Sequence, residues 1–447
     1  MSQRHTFDLA PAAELKPWVE RALAQAKAGG ATQADASVAV TRGLSLSVRK
    51  GEVESVEFHH DRELSLEVFF GPRAGSASTG DISERGLKQA VEAACAIAKA
   101  SGQDACNGLA DAKRMATSIP DLSLDHPWSI STDEAIEHAR AGEAAALGVT
   151  GVAQTEGASL HSSRGIEIYG NSHGFLAERT GSNHYLSCSA IAGTGERMQR
   201  DDWYTASRDP RALEAAPAVG RRAGERAVAR LGSKPLTTRS APVLFAPDLA
   251  RGLFGSYAGA IAGGALYRKA SFLLDKLGER IFAPFVNISQ QPFLPCAAAS
   301  ASFDNEGVAT ANRTMIENGV LKGWLLGSYS ARKLGLETTG NAGGVYNLVV
   351  EPGTQGFDAL VREMGEGLVV TELMGQGVNT VTGDYSRGAA GFWVENGAIA
   401  YPVQEITIAG NLLEMYQNIK AIGNDTDIRG GIRCGSVLIE PMMIAGR

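Results

Sequence analysis

The sequence predicts an α+β protein. N-terminal α/β units carry an antiparallel sheet, and a β-rich C-terminal domain with a glycine-rich helix follows. Three observations lead there. Residues 45–70 alternate apolar and polar side chains with period two, between segments of helical period. Two Asn-Gly pairs, Asn318-Gly319 and Asn396-Gly397, stand between short apolar runs, the strongest local hairpin signal. The 53 glycines follow no short period, so they mark tight turns and close backbone approaches rather than a fibrous chain.

At 447 residues, and about 150 residues per domain, the chain has room for two to four domains. The expected segments are an N-terminal α+β domain at 1–110, a central α+β domain at 111–231 and a β-rich domain at 237–447. The polar stretch at 232–240 is the clearest boundary. A net charge of −7 without any Lys/Arg block argues against nucleic-acid binding. Residues 281–303 are long enough to span a membrane, but Pro284, Pro292 and Pro295 interrupt them; residues 252–267 are too short. The polar start MSQRHTFDLAP has no signal-peptide core. Cys95, Cys106, Cys188, Cys296 and Cys434 form no CxxC pair, which fits a reduced, cytoplasmic protein.

Residues 14–27 place Leu15, Trp18, Val19, Ala22, Leu23 and Ala26 at helical spacing and stop at Gly29-Gly30. Residues 45–50, 52–58 and 63–70 read as separate antiparallel strands, turning at Lys50-Gly51 and breaking at Gly71-Pro72. Asp81 or Ser83 is placed to cap a helix that carries Leu87, Val91, Ala94 and Ile97. After a polar link, Ser131-Thr132-Asp133-Glu134 opens a helix with a capping box, ending near Leu147. Residues 152–193 read as strands with turns at Arg164-Gly165 and at 171–174, and a helix over 210–231 closes this unit.

In the last third, Val243, Leu244 and Phe245 form a strand, and Pro247-Asp248 starts a helix. Gly255, Gly259 and Gly263 recur along that helix at every fourth position. Glycine costs about 1 kcal/mol in a helix, so a repeated face of it implies a second backbone packed very close. Apolar runs at 379–382 and 405–408 flank the Asn396-Gly397 hairpin as strands. Between them, residues 383–388 read as a loop presenting Asp384, Tyr385, Ser386 and Arg387, candidates for binding a substrate or partner.

Other constellations favour plain structure. The eight histidines all lie at or before His184, with no metal-binding spacing, and neighbours such as His59-His60 point to opposite faces of a strand. Gly170-Asn171-Ser172-His173-Gly174 matches a nucleophile-elbow pattern, but a strand rather than a helix follows it. Gly375-Gln376-Gly377 lacks the third glycine of a dinucleotide fingerprint. Cys434 has no histidine near it in sequence to activate it.

Three longer stretches resemble the TldD/PmbA family, in its PmbA (TldE) branch. They are GDYSRGAAGFWVENGAIAYPVQEITIAGNL at 383–412, IRGGIRCGSVLIEPMMIAG at 428–446 and ALYRKASFL at 265–273. The resemblance runs from about residue 35 to 446. It implies one subunit of a heterodimeric TldD/TldE zinc metalloprotease that trims unfolded or modified peptides, microcin precursors and an antitoxin among them. It also implies a peptide substrate. A surface built for a similar-shaped partner can pair with its own copy, so self-association as a homodimer is expected in isolation. In the TldD branch, zinc sits on a helix with a His-Glu-x-x-x-His motif completed by a distant cysteine. Judged by its spacing to Tyr267-Arg268-Lys269, the matching helix here offers Gly255, Ser256 and Ala260. The resemblance therefore implies no catalytic or metal residue in this chain and zinc in the TldD partner. The alternative is a structural homo-oligomer or regulatory binder, in keeping with the family's older label, modulator of DNA gyrase.

Overall fold

The computed structural model describes residues 4–5 and 7–446; the outer boundaries at 1 and 447, and part of the polar start, lie outside the described residues. The first half contains α1 (Ala12–Ala28), β1 (Gln33–Arg49), β2 (Glu52–Phe70), β3 (Arg73–Thr79) and α2 (Glu84–Ala100). The same order of elements then recurs as α3 (Thr132–Leu147), β4 (Val152–Asn171), β5 (Leu176–Ala192), β6 (Gln199–Ser207) and α4 (Ala216–Ala229). The six strands form one antiparallel sheet, β3-β2-β1-β4-β5-β6. Its centre is the β1–β4 pair, in register from Asp35↔Asn171 to Val48↔Ala158. The two helix–three-strand–helix units are thus related by an approximate two-fold rotation about that pair.

Alternation explains the layering. Along β1, Ala34, Ala36, Val38 and Val40 are buried with α1 and α2. Leu44, Leu46 and Val48, on the same face, are buried with α3 and α4. The opposite face carries Asp35, Ser37, Glu63, Ser65, Glu67 and Tyr169. Local signals act as expected: Ser83 Oγ accepts the Gly86 N–H at 3.2 Å. Ser131 and Glu134 form a capping box, and α3 ends at Leu147.

Three expectations fail here for non-local reasons. Arg164-Gly165 is no turn but the middle of β4, opposite Arg42 and Thr41. Arg164 is held there by Asp125 at 2.6 Å. Residues 52–70 form a single strand through the polar stretch at 59–63. The expected helix at 210–231 is a short 3-10 turn, Pro210–Ala212, before α4 starts at Ala216 with a proline in its first turn.

The second half contains β7 (Arg239–Phe245), α5 (Pro247–Ala260), α6 (Gly263–Tyr267), β8 (Ile288–Gln290), β9 (Arg313–Glu317), β10 (Val320–Leu321) and α7 (Ser328–Leu334). Then come β11 (Leu348–Val350), α8 (Phe357–Met364), β12 (Gly367–Met374), β13 (Asp384–Glu395), β14 (Ala398–Asn411) and α9 (Leu412–Gln417). β15 (Ile419–Ile422), β16 (Ile432–Arg433) and β17 (Val437–Ala445) complete it. One sheet runs β14-β13-β12-β7-β17-β15, and β14 also pairs with β17, so five strands close into a ring. A second sheet runs β10-β9-β8-β11-β16. Their shared core is aromatic: Phe282 stacks on Tyr416 at 4.4 Å and meets Tyr257 edge-on at 5.3 Å.

Both Asn-Gly hairpins form as expected, with Asn318 and Gly319 at φ 51° and 79° and Asn396 and Gly397 at 53° and 73°. Residues 379–382, expected as a strand, make a turn instead. Asn379 Oδ1 accepts the Val381 N–H at 2.9 Å, a local bond that competes with a ladder. The expected loop at 383–388 lies largely inside β13, where Asp384 pairs with Asn411 and Arg387 with Ile408. No helix among the described residues is long and apolar enough to cross a membrane.

The glycine helix holds the largest departure. α5 ends at Ala260, and Gly263 opens the separate α6. A Cβ on Gly263 would meet Ser330 Oγ at 2.2 Å. A Cβ on Gly259 would meet nothing within 4 Å, and one on Gly255 only Ile432 Cδ1 at 3.7 Å. The close backbone neighbour expected along this face is absent at Gly255 and Gly259.

Candidate functional site

That open face borders a groove of about 520 Å³ between α5, α6, α7 and the loop at 341–345, with Gly259, Gly263, Tyr267, Tyr329, Gly343 and Gly344 in its walls. Tyr267 and Tyr329 meet edge to face at 5.7 Å. Gly343 lies at φ 104°, and a Cβ on it would sit 2.6 Å from Asn305 Nδ2, so the loop reaches the groove only with glycine there. Glu306, on the rim, accepts the Ser328 N–H at 2.9 Å.

Asn305 also lines a second cavity, of about 740 Å³, over the helix-free face of the six-stranded sheet. Asp35, Glu63, Glu67, Glu167 and Tyr169 are its polar lining. Glu167 is paired with Arg179 at 3.2 Å. Among the described residues no salt bridge reaches Asp35, Glu63, Glu67, Asp304 or Glu306. Burial, then the neighbouring Glu67, pushes the Asp35 carboxyl up to about 7. Burial, then Glu306, does the same to Asp304, to about 7, against three backbone N–H donors. Glu67 is raised by burial and by Glu306. The Tyr169 hydroxyl donates to Asp35 at 3.4 Å. Such a wall favours a cationic group, which would relieve carboxylates that otherwise keep their protons.

Sequence reasoning missed this acidic wall. Its members come from β1, β2, β4 and the loop around residue 305, and their only local signal is a polar residue at every second strand position.

The four candidates at the start of β13 alternate between faces. Asp384 is exposed and accepts from the Thr382 hydroxyl at 2.6 Å. Tyr385 is buried, its hydroxyl has no hydrogen-bond partner among the described residues, and burial pushes it up to about 12. Ser386 is exposed, and Arg387 is half-buried, its Nε without a hydrogen-bond partner among the described residues. They do not converge on one point. Next to them, the Phe272 N–H donates to Thr380 at 2.9 Å, which joins the 265–273 stretch to the turn before β13.

On α5, Ser256 Oγ donates back to Gly252 O at 3.1 Å, Gly255 has no side chain, and Ala260 is buried. Cys434 is buried 3.9 Å from Pro247 O at the start of α5, and burial followed by Asp427 pushes its thiol well above the ordinary range. A zinc peptidase needs three imidazole, thiolate or carboxylate ligands and a base for water. These positions do not fit that requirement. Among the described residues no group of three or more His, Cys, Asp or Glu is placed to hold a metal.

The other motifs resolve into structure. Ser172 sits in the β4–β5 hairpin, where its Oγ accepts the Ala34 N–H at 3.0 Å, so there is no strand-to-helix elbow. His59 bonds Ser45 Oγ at 2.9 Å while His60 is exposed. Gly375 and Gly377 lie in the turn after β12, and a Cβ on Gly377 would be 1.7 Å from Ser386 O.

Comparison with known proteins adds the following. Models of the PmbA/TldA metallopeptidase domains match residues 34–98 (domain 1), 125–231 (central domain) and 238–446 (C-terminal domain). The chain is 49% identical over 426 residues to Metalloprotease PmbA of Escherichia coli O157:H7, covering 95% of this chain and 94% of that one. A Bacteroides thetaiotaomicron structure named as a candidate modulator of DNA gyrase superposes with a TM-score of 0.92 at 29% identity, covering 97% of this chain and 99% of that one. TldE from Thermococcus kodakarensis shares the fold, with a TM-score of 0.83 at 23% identity and coverage of 96% and 100%.

Proposed function

The chain belongs to the PmbA/TldE family, and from that premise we propose that it is the non-catalytic subunit of a two-chain zinc peptidase. The partner is a TldD-like subunit that holds the metal, and the substrate is an unfolded or modified peptide in the cytoplasm. The observation that carries this reading is the donor set of α5. Where the TldD branch is expected to place imidazoles and a carboxylate, this chain has Gly255, Ser256 and Ala260, and the nearby thiol of Cys434 is buried.

The open glycine face gives that helix a different use. With no side chain at Gly255 and Gly259, an extended peptide or a partner's segment can pack close against this face of the helix. The acidic cavity beyond Asn305 suits the ammonium of a peptide N-terminus or of lysine. This chain's residues then bind and orient the peptide, and the chemistry belongs to the partner.

The test is zinc content and cleavage of an unfolded peptide by this chain alone, by the TldD-like chain alone and by the mixture. Cleavage by the mixture, with neither zinc nor cleavage in this chain alone, is expected. Stoichiometric zinc and cleavage by this chain alone would overturn the reading.

A further inference from the structure

A third cavity, of about 530 Å³, lies at the junction of the two halves. It is lined by residues of β6 and α4 from the first half, and of α5, α8, β12 and the loop at 425–429 from the second. Its volume is that of a small-molecule site. Phe357 and the 60% exposed Ile428 give it an apolar wall.

The charged groups around it are not all matched. Asp427 is paired with Arg429 at 2.9 Å, and Asp425 accepts from the Ser436 hydroxyl at 2.6 Å. Arg226 donates its Nε to Asp201 at 2.9 Å and its Nη2 to Thr371 O at 3.4 Å, which leaves Nη1 without a partner among the described residues. The Arg222 guanidinium lies over the Trp203 ring at 3.6 Å. Among the described residues, neither Arg222 nor Asp248, in the first turn of α5, makes an ion pair. Partial desolvation lowers the Arg222 guanidinium from its ordinary range; Glu214 and Asp248 oppose that shift, and Arg226 and Arg429 add to it. Arg222 and Asp248 are thus near enough to feel each other's charge without forming a salt bridge. Between them the buried Thr371 hydroxyl oxygen, also in the lining, has no hydrogen-bond partner among the described residues.

We infer that this cavity binds a free α-amino acid with an apolar side chain. The carboxylate meets Arg222 and Nη1 of Arg226, whose planar groups suit it, and gives the Thr371 hydroxyl an acceptor. The ammonium meets Asp248, and the side chain lies against Phe357 and Ile428. A simple anion would satisfy the arginines but bring its charge toward Asp248, and a simple cation would do the reverse. Only a zwitterion answers both. The site uses neither the glycine face of α5 nor zinc, so it stands apart from the peptidase reading.

The experiment is calorimetric titration of the full chain with L-leucine, N-acetyl-L-leucine, L-leucinamide and glycine. L-leucine is expected to bind in the micromolar to millimolar range. The two blocked forms, each lacking one charge, and glycine, lacking the apolar group, should bind at least tenfold more weakly. Arg222→Gln and Asp248→Asn, with folding checked by circular dichroism, should each weaken L-leucine at least tenfold. The blocked forms probe the unmodified chain, so the test holds even where a variant fails to fold. Absence of L-leucine binding up to the millimolar range overturns the proposal. So does equal binding of glycine or of a blocked form, or L-leucine binding that either substitution leaves unchanged.

Discussion

Glu143 on α3 holds the turn that begins β2, its carboxylate accepting the N–H of Gly51 at 2.8 Å. The same carboxylate takes the Lys50 N–H at 2.7 Å and the Thr155 hydroxyl, and Glu143 is only 1% exposed. Lys50 and Gly51 both have positive φ, so their N–H groups point together toward one acceptor. Glu143→Ala leaves buried donors without a partner and is expected to lower stability by about 3 kcal/mol. Glu143→Gln, which keeps one acceptor oxygen, should lose less than half of that. Urea unfolding midpoints would check both.

The two halves of the molecule are joined through Arg429. It makes paired 2.9 Å bonds to Asp427, donates to Tyr204 O at 2.8 Å and stacks over Trp203 at 4.3 Å. Arg429→Ala leaves the nearly buried Asp427 carboxylate with Arg251, at 3.9 Å, as its remaining ion-pair partner among the described residues and is expected to cost about 3 kcal/mol. Adding Asp427→Ala should recover part of the loss, since residues that share a contact are not additive. A double-mutant cycle on thermal unfolding would measure the coupling.

The acidic wall makes a pH prediction. Burial and Glu67 raise the Asp35 carboxyl from 3.8 to about 7. Within that window the folded chain holds its proton where the unfolded chain has released it. Raising the pH through the window therefore lowers stability at this group. His184, pushed down by burial, contributes with the opposite sign, so the comparison must be between variant and parent. Asp35→Asn is expected to be more stable than the parent at pH 8, with the gap narrowing steadily as pH falls to 4. Denaturant midpoints of both chains across that range would test it.

Two glycines should respond in opposite directions to the same change. Gly259→Ala adds a methyl to open space within α5 and is expected to stabilise by about 0.5–1 kcal/mol. Gly319→Ala must hold φ 79° and would bring a Cβ within 2.4 Å of Phe282 O, so it should destabilise by at least 1–3 kcal/mol. Paired melting curves would show the contrast.

These positions also mark what the sequence discloses. The Asn318-Gly319 and Asn396-Gly397 turns and the Ser131/Glu134 box were legible because each is decided within a few residues. Arg164-Gly165 was misread because Asp125 and the neighbouring β1, remote in sequence, hold it extended. The spacing of Gly255 and Gly259 is plain in the sequence. Whether a backbone or open space lies against them is decided by β16 at Gly255 and by α7 and the 341–345 loop at Gly259, which no local pattern encodes. The acidic wall is hidden for the same reason, since Asp35, Glu67 and Glu306 meet only after both halves have folded.

The ring of the second half has a consequence for the order in which the protein is made. β17 closes it by pairing Ile439 with Val243 of β7 and Ile444 with Ile408 of β14. Every other strand of the ring leaves the ribosome before β17 does. During that interval β7 and β14 each carry an unsatisfied edge beside an apolar interior, the kind of surface that chaperones shield and wrong partners capture. The first half meets no such delay, because its sheet is complete once β6 has been synthesised.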